Sequence, residues 1–186
     1  MASKRKIKIT AVTVASLDGR FTKGTEKNVY HWSSPEDFAQ FSHIRSQHNL
    51  IIMGSGTFEY AMKYQESGLK AEKERLRVVM TKYPEKYTQY EIPGQIEFTD
   101  ESPEKLIVRL ENEGYTRLLF LGGHNLLASF LEEDLIDELF ITIEPRIFGM
   151  GSILSTSKDV DTQLQLIESK QLNSQGTLLL HYNVIK

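Results

Sequence analysis

Tyr115-Thr116-Arg117-Leu118-Leu119-Phe120-Leu121-Gly122-Gly123-His124-Asn125-Leu126-Leu127-Ala128-Ser129-Phe130-Leu131 changes its hydrophobic period halfway along. A short apolar run stops at a glycine pair, and apolar positions then recur at helical spacing from Leu126 through Leu131. The stretch reads as buried strand, tight turn and amphipathic helix. Two residues without Cβ let a ligand approach the backbone, and the following helix offers unpaired N–H groups at its positive end. On this stretch alone, a phosphate cradle and a plain sharp connection are equally good readings.

Working outward, the same unit recurs. Asn49-Leu50-Ile51-Ile52-Met53 is a short buried strand that Gly54-Ser55-Gly56-Thr57-Phe58-Glu59 turns into a helix. Residues 63–74 are polar and read as a solvated helix end and connector. Arg75 to Met80 is a further strand opening into Thr81-Lys82, and Ile96 to Phe98 is a short one. Between them, Tyr83 to Pro93 reads as loop. Ile7 to Ala15 alternates and then turns wholly small and apolar, as a strand does on entering a covered core, and it ends at the turn Leu17-Asp18-Gly19-Arg20. Ser34-Pro35-Glu36-Asp37 starts a helix that runs to about His48, with Ser34 as N-cap, Pro35 in the first turn and two acids at the positive end of the dipole. Ser102 caps a helix that stops at Gly114. Leu135 to Ile143 is a strand stopped at Pro145, Phe148 to Ser152 is a glycine-rich loop, and Leu164 to Ile185 forms two strands joined around Asn173-Ser174-Gln175-Gly176. Strands separated by helices, then a terminal hairpin, predict an α/β three-layer domain with a mostly parallel sheet and an antiparallel edge.

At 186 residues the chain fits one domain, expected over 1–186. Lys and Arg number 22 against 25 Asp and Glu, a formal charge of −3, which gives no basic excess for nucleic acid or an anionic membrane. A small-molecule partner fits better. The absence of Cys excludes a thiolate nucleophile and Cys-ligated metal centres. No export signal and no apolar run of transmembrane length is present, so a cytoplasmic protein is expected.

Three strand ends carry groups suited to phosphate or ribose: Gly54 to Thr57, Thr81-Lys82, and Gly122 to Asn125. Ligands of open α/β sheets sit outside the carboxyl ends of the strands, so neighbouring strands would merge these into one nucleotide site. The usual dinucleotide fingerprint is absent, since Glu59 fills its third glycine position, and no Walker or nucleophile-elbow motif occurs. The five histidines lack metal-ligand spacing, and no metal is expected. Two acids stand out, Asp18 in a turn and Asp37 in the first turn of a helix. Each suits its local role in turn or helix-dipole chemistry. Trp32 could wall a planar ligand and, by desolvation, keep a neighbouring acid protonated, as a proton donor at neutral pH needs.

Ala15-Ser16-Leu17-Asp18-Gly19-Arg20, Trp32-Ser33-Ser34-Pro35-Glu36-Asp37, Ile44-Arg45, Ile52-Met53-Gly54-Ser55-Gly56-Thr57-Phe58, Gly122-Gly123, Leu135-Ile136-Asp137-Glu138-Leu139, Pro145 and Phe148-Gly149-x-Gly151 occur in that order. The ordered set resembles the reductase domain of the bifunctional riboflavin biosynthesis protein RibD, within the dihydrofolate-reductase-like superfamily. The resemblance implies a three-layer, NADPH-binding fold and hydride transfer to a carbonyl, imine or ring C=N of a pyrimidine- or pterin-like substrate. By the same resemblance Gly54, Ser55, Gly56 and Thr57 with Gly122, Gly123, His124 and Asn125 hold the pyrophosphate. Thr81 and Lys82 meet the adenosine end, with Lys82 favouring a 2′-phosphate, and Ala15 to Leu17 line the nicotinamide. A homodimer is expected from the relatives. The riboflavin-pathway reductases usually carry a substrate-binding Glu before the glycine pair, whereas this chain has Leu121, so the ribosylated pyrimidine is not assigned.

Dihydrofolate reductases are the second comparison, through Trp32-x-x-Pro35-x-Asp37 and Ile52-Met53-Gly54-x-x-Thr57-Phe58. That resemblance implies that Asp37 protonates or orients a pterin and that Arg75 takes a glutamate carboxylate. The reading carried forward is an NADPH-dependent reductase of the RibD type. Asp37 is its first choice and Asp18 its second for proton donor, and both serve with Trp32 and Arg75 as substrate-binding residues. A folate reductase and a non-catalytic NADPH-binding module are the alternatives.

Overall fold

Strand β5, Arg117–Leu121, and helix α4, His124–Glu132, are the two halves of the quoted stretch. The computed structural model describes residues 5–71, 75–121 and 123–186, so Gly122 lies outside the described residues. Leu118, Leu119 and Phe120 are buried on both faces of β5, as a central strand requires, and Leu127, Ala128 and Phe130 form the covered side of α4. Phe120 and Phe130 meet with ring centroids 4.7 Å apart, so the turn folds the helix straight back onto its own strand.

The other elements in chain order are β1 Lys8–Ser16, α1 Pro35–Ser46, β2 Leu50–Gly54, α2 Ser55–Ala71, β3 Leu76–Met80, β4 Ile96–Thr99, α3 Pro103–Asn112, β6 Glu138–Glu144, β7 Gln163–Gln171 and β8 Leu178–Ile185. Capping follows the side chains. Ser34 Oγ accepts from Asp37 N at 3.2 Å and Ser102 Oγ from Lys105 N at 3.5 Å, each followed by Pro in the first turn.

One eight-stranded sheet runs in the order β4-β3-β2-β5-β1-β6-β8-β7. Strands β1 to β6 pair in parallel, and β8 runs antiparallel to both β6 and β7. This is the mostly parallel sheet with a terminal hairpin that the sequence predicts. Side chains alternate faces along each strand. Ile9, Leu50, Ile52, Val78, Leu118 and Phe120 therefore pack under α3 and α4, while Ile51, Met53, Val79 and Leu119 pack with Ile44 of α1 and Phe58 of α2. The two clusters are the outer seams of a three-layer fold.

Three element boundaries differ from the sequence reading. Helix α2 continues through most of the polar stretch, to Ala71. The presumed loop from Tyr83 to Pro93 contains two single 3-10 turns, at Pro84–Lys86 and Thr88–Tyr90. Strand β6 starts at Glu138, three residues late, because Leu135 and Ile136 are buried in the cluster under α3 and α4 instead of pairing in the sheet. Their apolar character signals that packing as well as it signals a strand.

Candidate functional site

The sheet order makes neighbours of the carboxyl ends of β3, β2, β5, β1 and β6. Chain leaving β2 crosses toward β4, and chain leaving β5 crosses the other way to β6, so a crevice opens between the ends of β2 and β5. The three strand ends picked out from the sequence meet there. A Cβ on Gly54 would contact Leu126 Cδ2 at 3.8 Å, and one on Gly123 would contact Thr57 Oγ1 at 4.0 Å, so the two turns already touch. Gly123 caps α4 through its carbonyl, and among the described residues no side chain caps that helix start. Glycine-lined walls and an uncapped helix start fit a pyrophosphate.

His124 and Asn125 open α4 at this crevice. The His124 ring stacks on Phe21, 6.2 Å between centroids. Burial, and then the nearby Lys27 ammonium, push the His124 imidazole below its ordinary pKa. Lys27 thus brings a positive charge to this end of the crevice. At the other end, Thr81 N donates to Thr99 O at 2.9 Å and Lys82 is exposed. Ser55 and Gly56 begin α2.

The turn after β1 is held from three sides. Ala15 and Ser16 are buried, while Leu17 is 65% exposed, with its N–H donated to Arg146 O at 2.8 Å. Asp18 accepts from Ser16 Oγ at 2.6 Å, from Phe148 N at 3.1 Å and from Gly149 N at 2.8 Å, and Arg20 Nε lies 3.6 Å away. The Ser16 hydroxyl is the largest cause, and the two backbone N–H groups assist, in holding the Asp18 carboxyl well below the usual carboxylate range. Such bonding suits a fixed anion that latches the 148–149 loop, not a group that delivers a proton. The latched loop also needs Gly151: its φ is +142°, and a Cβ there would sit 1.9 Å from Thr22 O.

Asp37 has the opposite surroundings. It is 9% exposed at the start of α1, five residues after Trp32, which is 3% exposed and meets Phe148 edge-on at 5.2 Å. Burial is the main cause that pushes the Asp37 carboxyl up, and the Glu144 charge adds to it, while hydrogen bonds from Thr142 and Ser33 oppose the shift. Glu144, 3% exposed at the end of β6, accepts from Ser34 N at 2.7 Å and from Thr177 Oγ1 at 2.8 Å. The buried Trp32 Nε1 makes no hydrogen bond among the described residues. A protonatable acid, a second buried carboxylate and a spare indole N–H therefore gather at one corner of the sheet's carboxyl edge.

Arg75 is not part of this gathering. It precedes β3, at the amino edge of the sheet, where Nε donates to His48 O at 2.8 Å and one terminal nitrogen to Arg45 O at 3.0 Å. Its guanidinium closes the exposed carbonyls at the end of α1. The length of a five-residue strand, about 16 Å, separates it from the carboxyl edge. Glu144 and Thr142 were missed from the sequence. Their only signal was two polar residues spaced by two in an apolar strand just before Pro145.

The RibD C-terminal domain family matches residues 7–178. The chain is 27% identical over 176 residues to the protein YwjB of Bacillus subtilis (strain 168), covering 90% of this chain and 92% of that one. Among solved structures, the diaminohydroxyphosphoribosylaminopyrimidine deaminase/5-amino-6-(5-phosphoribosylamino)uracil reductase of Thermotoga maritima superposes with a TM-score of 0.74 at 16% identity, covering 98% of this chain and 58% of that one. The dihydrofolate reductase of Enterococcus faecalis, in complex with NADP(H), superposes with a TM-score of 0.60 at 17% identity, covering 96% and 97%. These likenesses establish the dihydrofolate-reductase-like fold, and with the family match they show that the chain belongs to the RibD C-terminal domain family.

Proposed function

We propose that the protein is a cytosolic, NADPH-dependent reductase that transfers a hydride to a carbonyl, imine or ring C=N of a pyrimidine- or pterin-like small molecule. The observation that carries the reading is Asp37, a buried acid with a raised pKa at the carboxyl edge of a sheet of this family. NADPH, when bound, supplies the hydride. The chain's residues supply the rest: Gly54 to Thr57 and Gly122 to Asn125 bind the pyrophosphate, while Thr81 and Lys82 take the adenosine end. Ala15 to Leu17 line the nicotinamide, Trp32 walls the substrate, and Asp37 holds the proton that neutralises the reduced centre. Asp18 serves by pinning the 148–149 loop.

Thermal unfolding with each dinucleotide tests the proposal. NADPH at a hundredfold excess over its Kd should add about 2.7 kcal/mol, or roughly 5–10 °C in Tm, with a smaller rise for NADH. Absence of a shift with either dinucleotide overturns the reading. Binding of NADPH without oxidation of it by any pterin, pyrimidine or carbonyl compound would instead favour a nucleotide-sensing module. We further propose that the working form is a homodimer, because every residue of β7 is exposed at the sheet edge.

A further inference from the structure

Two carboxylates occupy the buried corner at the end of β6, and the reaction proposed above uses one. Thr142 and Glu144 stand two residues apart on the strand, so both project from the face that α1 covers. Thr142 is buried on that face, and its hydroxyl opposes the rise of the Asp37 pKa. Ser34 links the two acids, since its N–H donates to Glu144 Oε1 at 2.7 Å and its Oγ accepts from Asp37 N at 3.2 Å. The second Glu144 oxygen accepts from Thr177 Oγ1 at 2.8 Å. Thr177 is itself fixed by Asn173, whose Oδ1 accepts from Thr177 N at 3.1 Å and whose Nδ2 donates to Thr177 Oγ1 at 3.0 Å. Both Glu144 oxygens accept hydrogen bonds, which is the bonding of a carboxylate anion.

We propose that Glu144 is a positioning residue for the proton on Asp37: a fixed, buried anion that keeps its neighbour in the acid form until a substrate takes the proton. Two like charges in one desolvated corner resist simultaneous ionisation. The neighbouring charges on α1 and on the β1 turn are engaged elsewhere. Glu36, next to Asp37 on α1, bonds Asn173 Nδ2 at 3.1 Å, and Asp18 and Arg20 on the β1 turn pair with each other. Glu144 remains as the charge that acts on Asp37. Ser34 and Thr177 hold it there through bonds from two other segments, the N-cap of α1 and the turn that leads into β8.

The inference rests on Asp37 as proton donor, yet its test needs no substrate. Carboxyl-carbon NMR of the full chain, with the Asp37 resonance assigned through Asp37→Asn, gives the titration midpoint of Asp37 directly. In the wild type it lies above the ordinary aspartate value of about 3.9. Glu144→Gln, which keeps the shape and loses the charge, moves the midpoint down toward that value. Thr177→Val, which loosens Glu144 but keeps its charge, leaves it close to wild type. Glu144→Asp, which draws the charge back by one methylene, moves it down by less and serves where the Gln variant does not fold. An unraised wild-type midpoint, a midpoint unchanged in the folded Glu144 variants, or an equal fall in Thr177→Val overturns the proposal. A raised, Glu144-dependent midpoint in a chain that reduces nothing overturns the functional reading and leaves this one standing. A working reductase whose Asp37 ignores Glu144 does the reverse.

Discussion

Asp37 is kept in a place that works against its ionisation. Burial and the Glu144 charge raise its folded-state pKa, so the folded protein holds this proton more tightly than the unfolded chain does. Below the unfolded value near 3.9 the acid is neutral in both states and contributes no penalty. As pH rises from there through the folded pKa, stability declines, and it stays at the lower level beyond. Asp37→Asn should therefore unfold at higher urea than the wild type at pH 7, with the gain vanishing at pH 3. The same change removes the proton donor and should lower kcat by about 10²–10⁴-fold on whichever substrate is found. A variant that loses activity and stability together at pH 7 would mark Asp37 as a structural residue. Asp18, which the sequence ranks beside Asp37 as an acid near a strand end, is separated from it only by three-dimensional partners. Phe148 and Gly149 lie 130 and 131 residues away along the chain.

The elements were legible in the sequence where the signal is local. Ser34 and Ser102 announce helix starts by their own oxygens, and the doubly apolar runs of β2 and β5 announce strands covered on both faces. The neighbouring ends of β3, β2 and β5 were inferred from chemistry alone, and the sheet order supplies the adjacency. What pattern could not show is pairing across the fold. Glu144 meets Ser34 and Thr177 from three distant segments, and Arg75 is drawn to the carbonyls that end α1. Gly122, half of the glycine pair, lies outside the described residues. The packing that makes β5 and α4 one unit is testable at Phe130, which is fully buried against Phe120. Phe130→Ala should cost about 3–5 kcal/mol in urea unfolding, through lost burial and the cavity left behind. A cost under about 1 kcal/mol would mean that the helix is not seated on its strand.

Across the whole molecule the two edges of the sheet are unequal. At one edge, Ile96 and Phe98 of β4 are buried. At the other, all nine residues of β7 are exposed, among them Leu164, Leu166 and Ile167. An exposed, apolar edge strand with unpaired backbone groups is an open template for another chain, and monomers blunt such edges with charge or cover. Within β7 the charges are Glu168 and Lys170, both after the bulge that follows Leu166, so the apolar half of the strand is left bare. A second copy meeting this half about a two-fold axis would cover the same residues on both chains at once. Sedimentation equilibrium should thus return twice the 21.3 kDa chain mass. Leu166→Lys, at a position 51% exposed, should shift the protein to monomer with its far-ultraviolet circular dichroism unchanged, because a charge on the bare edge opposes pairing without disturbing the chain's own core. A wild-type monomer at micromolar concentration overturns the dimer, and a Leu166→Lys dimer moves the interface off β7. Because Thr177 closes the β7–β8 turn immediately before β8 and bonds Glu144, a partner seated on β7 would also stiffen the segment that fixes the buried acid pair.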